Sequence, residues 1–296
     1  MAWPRLRTED WTATRDTLHM WTQIVGKVRM AYAPAVNHWW HVTFYVSARG
    51  LTTSAVPHPG GLVEMEFDFL DHQLHIRTDD GRTRSVSLAP KTVAAFYRET
   101  MAALASLGIE PELHAVPNEV DPAIPFAGDD VHRDYDGAAA RAFWQQLAHV
   151  ARVFERFRTG FVGKASPVHF FWGAMDLAHT RFSGRTAPPH PGGAPNCPPS
   201  VMREGYSHEL ASFGFWPGGG AEGAFYAYAY PEPPGYPGEP VSPPGAHYDK
   251  DMREFLLPYE IVADSPDPEA ALTAFLESTY AAAADLAAWD RALLDR

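Results

Sequence analysis

Between Lys164 and Arg185 the sequence reads KASPVHFFWGAMDLAHTRFSGR, with two histidines, one aspartate and three cations among four bulky aromatics. These residue types supply what a site for a small molecule needs. A histidine and a carboxylate can move a proton or hold a metal, a Lys or Arg can grip an anionic group, and an aromatic face can stack on a ring. His169, Asp176 and Arg181 are therefore catalytic candidates, with Lys164, Arg185 and Trp172 as substrate-holding residues. Strand parity constrains the set. On a straight strand over 168–182, His169, His179 and Arg181 share a face and Asp176 lies opposite. The two histidines would then be about 33 Å apart, too far to share an ion. Gly173 could break such a strand and reset the parity, or a helical turn over 175–179 could bring Asp176 to His179 at i, i+3. The sequence leaves these alternatives open.

Three further clusters carry polar or aromatic groups. REGYSHELASFGFWPGG pairs His208 with Glu204 or Glu209 at a strand entry and places Trp216 beyond them. NHWWH sets His38 and His41 three apart, on opposite faces of an expected strand, where His41 shares a polar face with Thr43 and Tyr45. FYAYAYP aligns Tyr226, Tyr228 and Tyr230 on one face, with Tyr228 a candidate stacking wall. His41, His169 and His208, with Asp176 or Glu209, form the expected ligand set for a divalent metal, for which zinc or iron would suit. Each cluster also has a plainer explanation: a hydrogen-bonded half-buried histidine, a solvated strand entry, or tyrosines packed under a loop.

Recognised catalytic motifs are missing. WPGGGAEGAF lacks the Lys-Ser/Thr of a phosphate loop, and neither Gly-x-Ser-x-Gly nor His-Glu-x-x-His occurs. The single Cys197 excludes an internal disulfide and a cysteine-based metal cluster, and its Pro/Gly surroundings read as loop. A net charge of −12 without any Lys/Arg run argues against nucleic acid and an anionic membrane surface as partners. The N-terminal MAWPRLRTEDW has no apolar signal core, and no long apolar run follows, so a soluble cytoplasmic protein is expected.

The elements that must position these groups follow from periodicity. Leu18, Trp21, Ile24, Val25 and Val28 predict a helix over about 11–28, capped by Thr12 or Thr14. HWWHVTFYVS predicts a strand, and LVEMEFDFL, LHIRT and RSVSL predict an antiparallel meander with an Asp-Asp-Gly turn at 79–81. Helices are predicted over about 91–107, 138–157 and 268–294. Strand-like segments fill the second half, interrupted by Pro/Gly-rich loops at 186–200 and 231–246.

The fold class expected is α+β, with two similar halves (about 1–130 and 131–296), each an antiparallel sheet flanked by helices. VGKVRMAYAPAVNHWWH and VGKASPVHFFWG echo one another weakly across them, as an internal duplication would. The halves are expected to form one integrated domain over 1–296.

TLHMWTQIVGK, NHWWHVTFYVSARGL, SPVHFFWGAMDLAHTRFSGR, YSHELASFGFWPGG and FYAYAYP together resemble a family of uncharacterised bacterial proteins, a domain of unknown function. The resemblance spans nearly the whole chain. It implies a single full-length domain and brings with it no activity and no catalytic residue. The functional expectation is a small-molecule enzyme with a His/carboxylate site, with or without a metal, in an aromatic-lined cleft between the halves. The alternative is a non-catalytic protein that binds a small ligand in an aromatic pocket.

Overall fold

The computed structural model describes residues 3–296. A 25-residue helix, α1 (Thr8–Tyr32), opens the chain, three residues ahead of the expected start. Glu9 and Asp10 in its first turn and Arg29 in its last complement the helix dipole. From Thr17 to Arg29 almost every residue is buried, so α1 is a central strut rather than a surface helix.

The first sheet contains β1 (Tyr45–Val46), β2 (Gly50–Thr52), β3 (Val56–His58), β4 (Gly61–Asp68), β5 (Gln73–Thr78) and β6 (Thr83–Ser87). It runs β1-β2-β4-β5-β6, with β3 also paired to β4. Alternation in β4 buries Val63, Met65 and Phe67, as the meander requires. Two helices follow. In α2 (Val93–Ala105) the Thr92 side chain accepts from the Ala95 amide, and in α3 (Gly137–Thr159) Asp136 accepts from the amides of Ala138 and Ala139.

The second sheet has the order β11-β12-β10-β9-β8-β7, entirely antiparallel. Its strands are β7 (His169–Phe171), β8 (Asp176–Thr186), β9 (His208–Trp216), β10 (Ala224–Tyr230), β11 (His247–Asp249) and β12 (Glu254–Pro258). A short helix, α4 (Pro199–Gly205), precedes β9, and α5 (Tyr259–Ala263), α6 (Pro268–Leu286) and α7 (Arg291–Leu294) close the chain. Reciprocal backbone bonds between Phe44 and Phe170, at 2.9 and 2.7 Å, tie the two sheets together. The fold is thus α+β with two similar six-stranded halves.

Three segments depart from expectation. The helix expected over about 268–294 ends at Leu286, and a separate short helix, α7, follows from Arg291. NHWWHV is not a strand but a 3-10 turn over Asn37–Val42, with His38 and Trp39 at φ of 59° and 61°. These conformations are costly for residues with a Cβ, and they persist because tertiary contacts hold His38. Residues 168–182 are not one strand either. The chain reverses at 172–175, with Met175 at φ 61°, and Asp176 comes to lie opposite Phe171. The break at Gly173 is therefore the alternative realised, and the 33 Å separation of a straight strand does not apply.

Candidate functional site

The two faces of the second sheet carry different chemistry. Odd-numbered residues, among them Leu177, His179, Arg181, Phe213, Phe215 and Phe225, are buried on one face. Phe157 of α3 packs edge-on against Phe213 with ring centroids 5.0 Å apart. Even-numbered residues face a cavity of about 830 Å³. Asp176, Ala178, Thr180 and Phe182 come from β8, Ser212 and Trp216 from β9, Tyr226 and Tyr228 from β10, and Glu254 from β12. The first half supplies the facing wall: Lys27 and Met30 from α1, Trp39 and Trp40 from the 3-10 turn, and Asn118 and Glu119 from the loop before α3. The cavity therefore lies between the halves.

Glycines set the geometry at two places. Gly214 lies opposite Tyr226 in the register, and a Cβ there would come within 2.1–2.4 Å of the Tyr226 ring. Lacking one, Gly214 lets the ring lie across β9, so that the Tyr226 hydroxyl donates to Asp176 Oδ2 on β8. Gly26 does the same on α1: a Cβ would lie 2.3–2.4 Å from the Trp172 indole. The indole nests there and donates from Nε1 to the Val42 carbonyl at 2.7 Å.

Three carboxyls face the cavity with affinities for protons near neutrality. Asp176 is 8% exposed. Burial pushes its carboxyl up to about 6, against the opposing pull of the Tyr226 hydrogen bond. Glu119 is pushed up to about 7 by burial and then by the Asp176 charge. Its side chain is exposed at the position where it borders the cavity. It lies against Gly173, where a Cβ would be 2.3 Å from Oε1. Burial, then Asp176 and Asp249, raise Glu254 to about 7. Beside them, Tyr206 and Tyr228 share a hydroxyl–hydroxyl bond of 2.8 Å.

The cavity's buried cation is Lys27, 1% exposed, whose Nζ donates to Asn118 Oδ1 at 2.5 Å. Burial lowers its affinity for a proton to about 8. His38 accepts from Lys164 Nζ at Nε2 (2.8 Å), since an ammonium has no lone pair. Its Nδ1 then donates to the Gly205 carbonyl (2.9 Å), fixing a neutral tautomer.

Of the expected site residues, Asp176, Trp172, Trp216 and Tyr228 line the cavity. The others do not. His41 turns back to Val36 at Nδ1 and packs on Trp39, because its segment is a turn and not a strand. His169 is fully buried, bonded through Nδ1 to the Thr43 hydroxyl at 3.1 Å, and burial depresses it to about 3, so it remains neutral. His208 bonds Ser207 beyond the cavity rim. The expected zinc or iron set of His41, His169 and His208 is therefore not assembled. Among the described residues no group of three His, Cys, Asp or Glu side chains is arranged for a metal.

The expected cations and their acid partner also have structural roles. The Arg181 guanidinium stacks over Phe157 at 3.5 Å and Tyr280 at 4.3 Å and donates to the Phe157 carbonyl, on the face opposite the cavity. Arg185 and Glu209 pair with each other at 2.6 Å on the surface, and Glu209 also accepts from Ser183. Lys164 props His38 and lies over the rings of Trp40 and Phe182 rather than reaching into the cavity. Nothing in the sequence tied Lys27, Glu119 and Glu254 to one another, and Lys27 was marked only as part of the Val-Gly-Lys echo. Tyr226 did have one, in the alternation that also marked Tyr228.

The class is defined by this arrangement: an α+β protein enclosing an aromatic-walled cavity with near-neutral carboxyls. Residues 3–296 match the family of unknown function DUF5996, and the chain belongs to that family. Comparison with curated proteins and with solved structures gives no significant match.

Proposed function

We propose that this chain is an enzyme that transfers a proton on a small organic molecule held in the cavity, with Asp176 as the acid/base group. The observation that carries this reading is the Asp176–Tyr226 hydrogen bond at the wall of the cavity, with the Asp176 carboxyl held at about 6. A carboxyl so placed can take a proton at neutral pH and return it, which an ordinary exposed aspartate does poorly. Tyr226 orients it and stabilises its ionised form. Glu119 and Glu254 supply two further protonatable groups on the cavity wall. Trp172, Tyr228 and Trp216 would stack on or enclose the apolar part of the substrate. The mechanism relies on no metal. The substrate is taken to be diffusible, and the protein to work as a soluble enzyme in the bacterial cytoplasm, without nucleic-acid or membrane partners. The net charge of −12 supports the nucleic-acid part of that reading.

A non-catalytic binding protein is the second reading, favoured by the predominance of aromatic and aliphatic side chains around the cavity. Solvent-deuterium exchange separates the two. Small aromatic carbonyl compounds that raise the melting temperature are incubated in deuterated buffer. The enzyme reading expects exchange at the carbon beside the carbonyl, lost in Asp176→Asn. Stabilisation without exchange for every such compound would favour the binder, and no stabilisation would sink both.

A further inference from the structure

We propose that Lys27 is a nucleophile that forms a Schiff base with the carbonyl carbon of an aldehyde or ketone bound in the cavity. The inference rests on the reading of the cavity as a substrate site and names the substrate class. Lys27 differs from the chain's other three lysines. Lys91 pairs with Glu99 at 2.5 Å, Lys164 props His38 and is exposed, and Lys250 is exposed. Lys27 alone is buried, lines the cavity, and has a neutral amide oxygen as its hydrogen-bond partner. No carboxylate forms an ion pair with it among the described residues, although Glu119 follows Asn118 directly in the chain. An ammonium enclosed without a counter-charge is costly, whereas a neutral amine can donate one N–H to Asn118 Oδ1 and keep its lone pair for an electrophile. The Trp172 ring, 5.9 Å away, and the nesting contact at Gly26 keep the neighbourhood apolar. Its lowered proton affinity, to about 8, agrees with that geometry.

The step balances without a further reagent. The Nζ lone pair attacks the carbonyl carbon, the carbonyl oxygen takes a proton, and Nζ loses one, giving a carbinolamine. A protonated carboxyl of the cavity, Glu119 being next to Asn118, then protonates the hydroxyl as the C–N double bond forms. Water leaves, the protonated imine remains, and the carboxylate recovers its proton as the nitrogen releases one to give the neutral imine.

The test traps this imine in the native full-length protein. Benzaldehyde and 2-oxobutanoate are each added with sodium cyanoborohydride, and the modified lysine is located by peptide mass mapping. Melting temperature is followed in parallel with benzyl alcohol, which has no carbonyl. The expected result is a reduced adduct at Lys27 about tenfold above Lys91 and Lys250, protected by benzyl alcohol and missing in Lys27→Met. If benzyl alcohol stabilises the protein but Lys27 is labelled no faster than the exposed lysines, the Schiff-base role is overturned and the cavity reading survives. If nothing binds and nothing labels, both fall. The native labelling decides by itself, so a Lys27→Met variant that failed to fold would remove only a control.

Discussion

Replacing Asp176 with Asn should make the protein more stable above about pH 4, with the full gain reached above about pH 6. The Asp176 carboxyl, 8% exposed, is raised from 3.8 to about 6, first by burial. At about 1.4 kcal/mol for each pH unit, the ionised folded form is disfavoured by about 3 kcal/mol relative to the unfolded chain. The sign follows from proton uptake. Above 3.8 the unfolded chain releases this proton while the folded chain retains it until about 6, so stability is lost as pH rises through that window. Asparagine keeps an oxygen to accept from Tyr226 and carries no charge. Asp176→Asn should therefore match the parent near pH 4 and exceed it by up to about 3 kcal/mol at pH 8, or about 5 °C in melting temperature for a chain of this size. Scanning fluorimetry from pH 4 to 9, checked by urea denaturation at both ends, measures it. A shift independent of pH, or a loss of stability at pH 8, would refute the burial argument. A gain in stability with a loss of exchange activity is what a functional group held at a cost should show.

Three other outcomes follow from the same geometry. Tyr226→Phe removes the hydrogen bond that favours ionised Asp176, so its carboxyl should titrate above about 6 and the acid limb of any activity should move to higher pH; carboxyl-carbon NMR reads the first directly. Gly214→Ala places a methyl 2.1–2.4 Å from the Tyr226 ring and should displace it, costing about 1–3 kcal/mol and weakening ligand binding, measurable as a lost thermal shift on adding ligand. Arg181→Ala should cost about 3 kcal/mol through lost packing against Phe157 and Tyr280 yet leave ligand affinity unchanged by calorimetry, because the side chain lies on the opposite face of the sheet.

The meander over Gly61–Ser87 and the helices α1, α2, α3 and α6 were legible because a single periodicity runs through each. The same alternation put Tyr226 and Tyr228 on one face, and that face lines the cavity. NHWWH misled because its two left-handed residues, His38 and Trp39, carry bulky side chains that no local rule assigns to that conformation. What holds them is distant: Gly205 and Lys164 for His38. His169, His179 and Arg181 drew attention as polar groups among aromatics, but they are core side chains anchored through one nitrogen each, with His169 Nε2, His179 Nε2 and Arg181 Nε left without a hydrogen-bond partner among the described residues. His179 bonds the Ser166 carbonyl at 3.1 Å and Arg181 rests on rings. Lys27, Glu119 and Glu254 were invisible for the converse reason. They lie far apart in the chain, and only the packing of α1 and the 114–119 loop against the second sheet, of which β12 is a strand, brings them to one cavity.

Crystals soaked with benzyl alcohol test the central claim most directly. The alcohol's ring should lie between the Trp172 and Tyr228 walls of the cavity, with the hydroxyl hydrogen-bonded to Asp176 or Glu119. A cavity that stays free of the ligand at saturating concentration, or a ligand bound only at the surface pocket beside Tyr230 and Trp289, would contradict it.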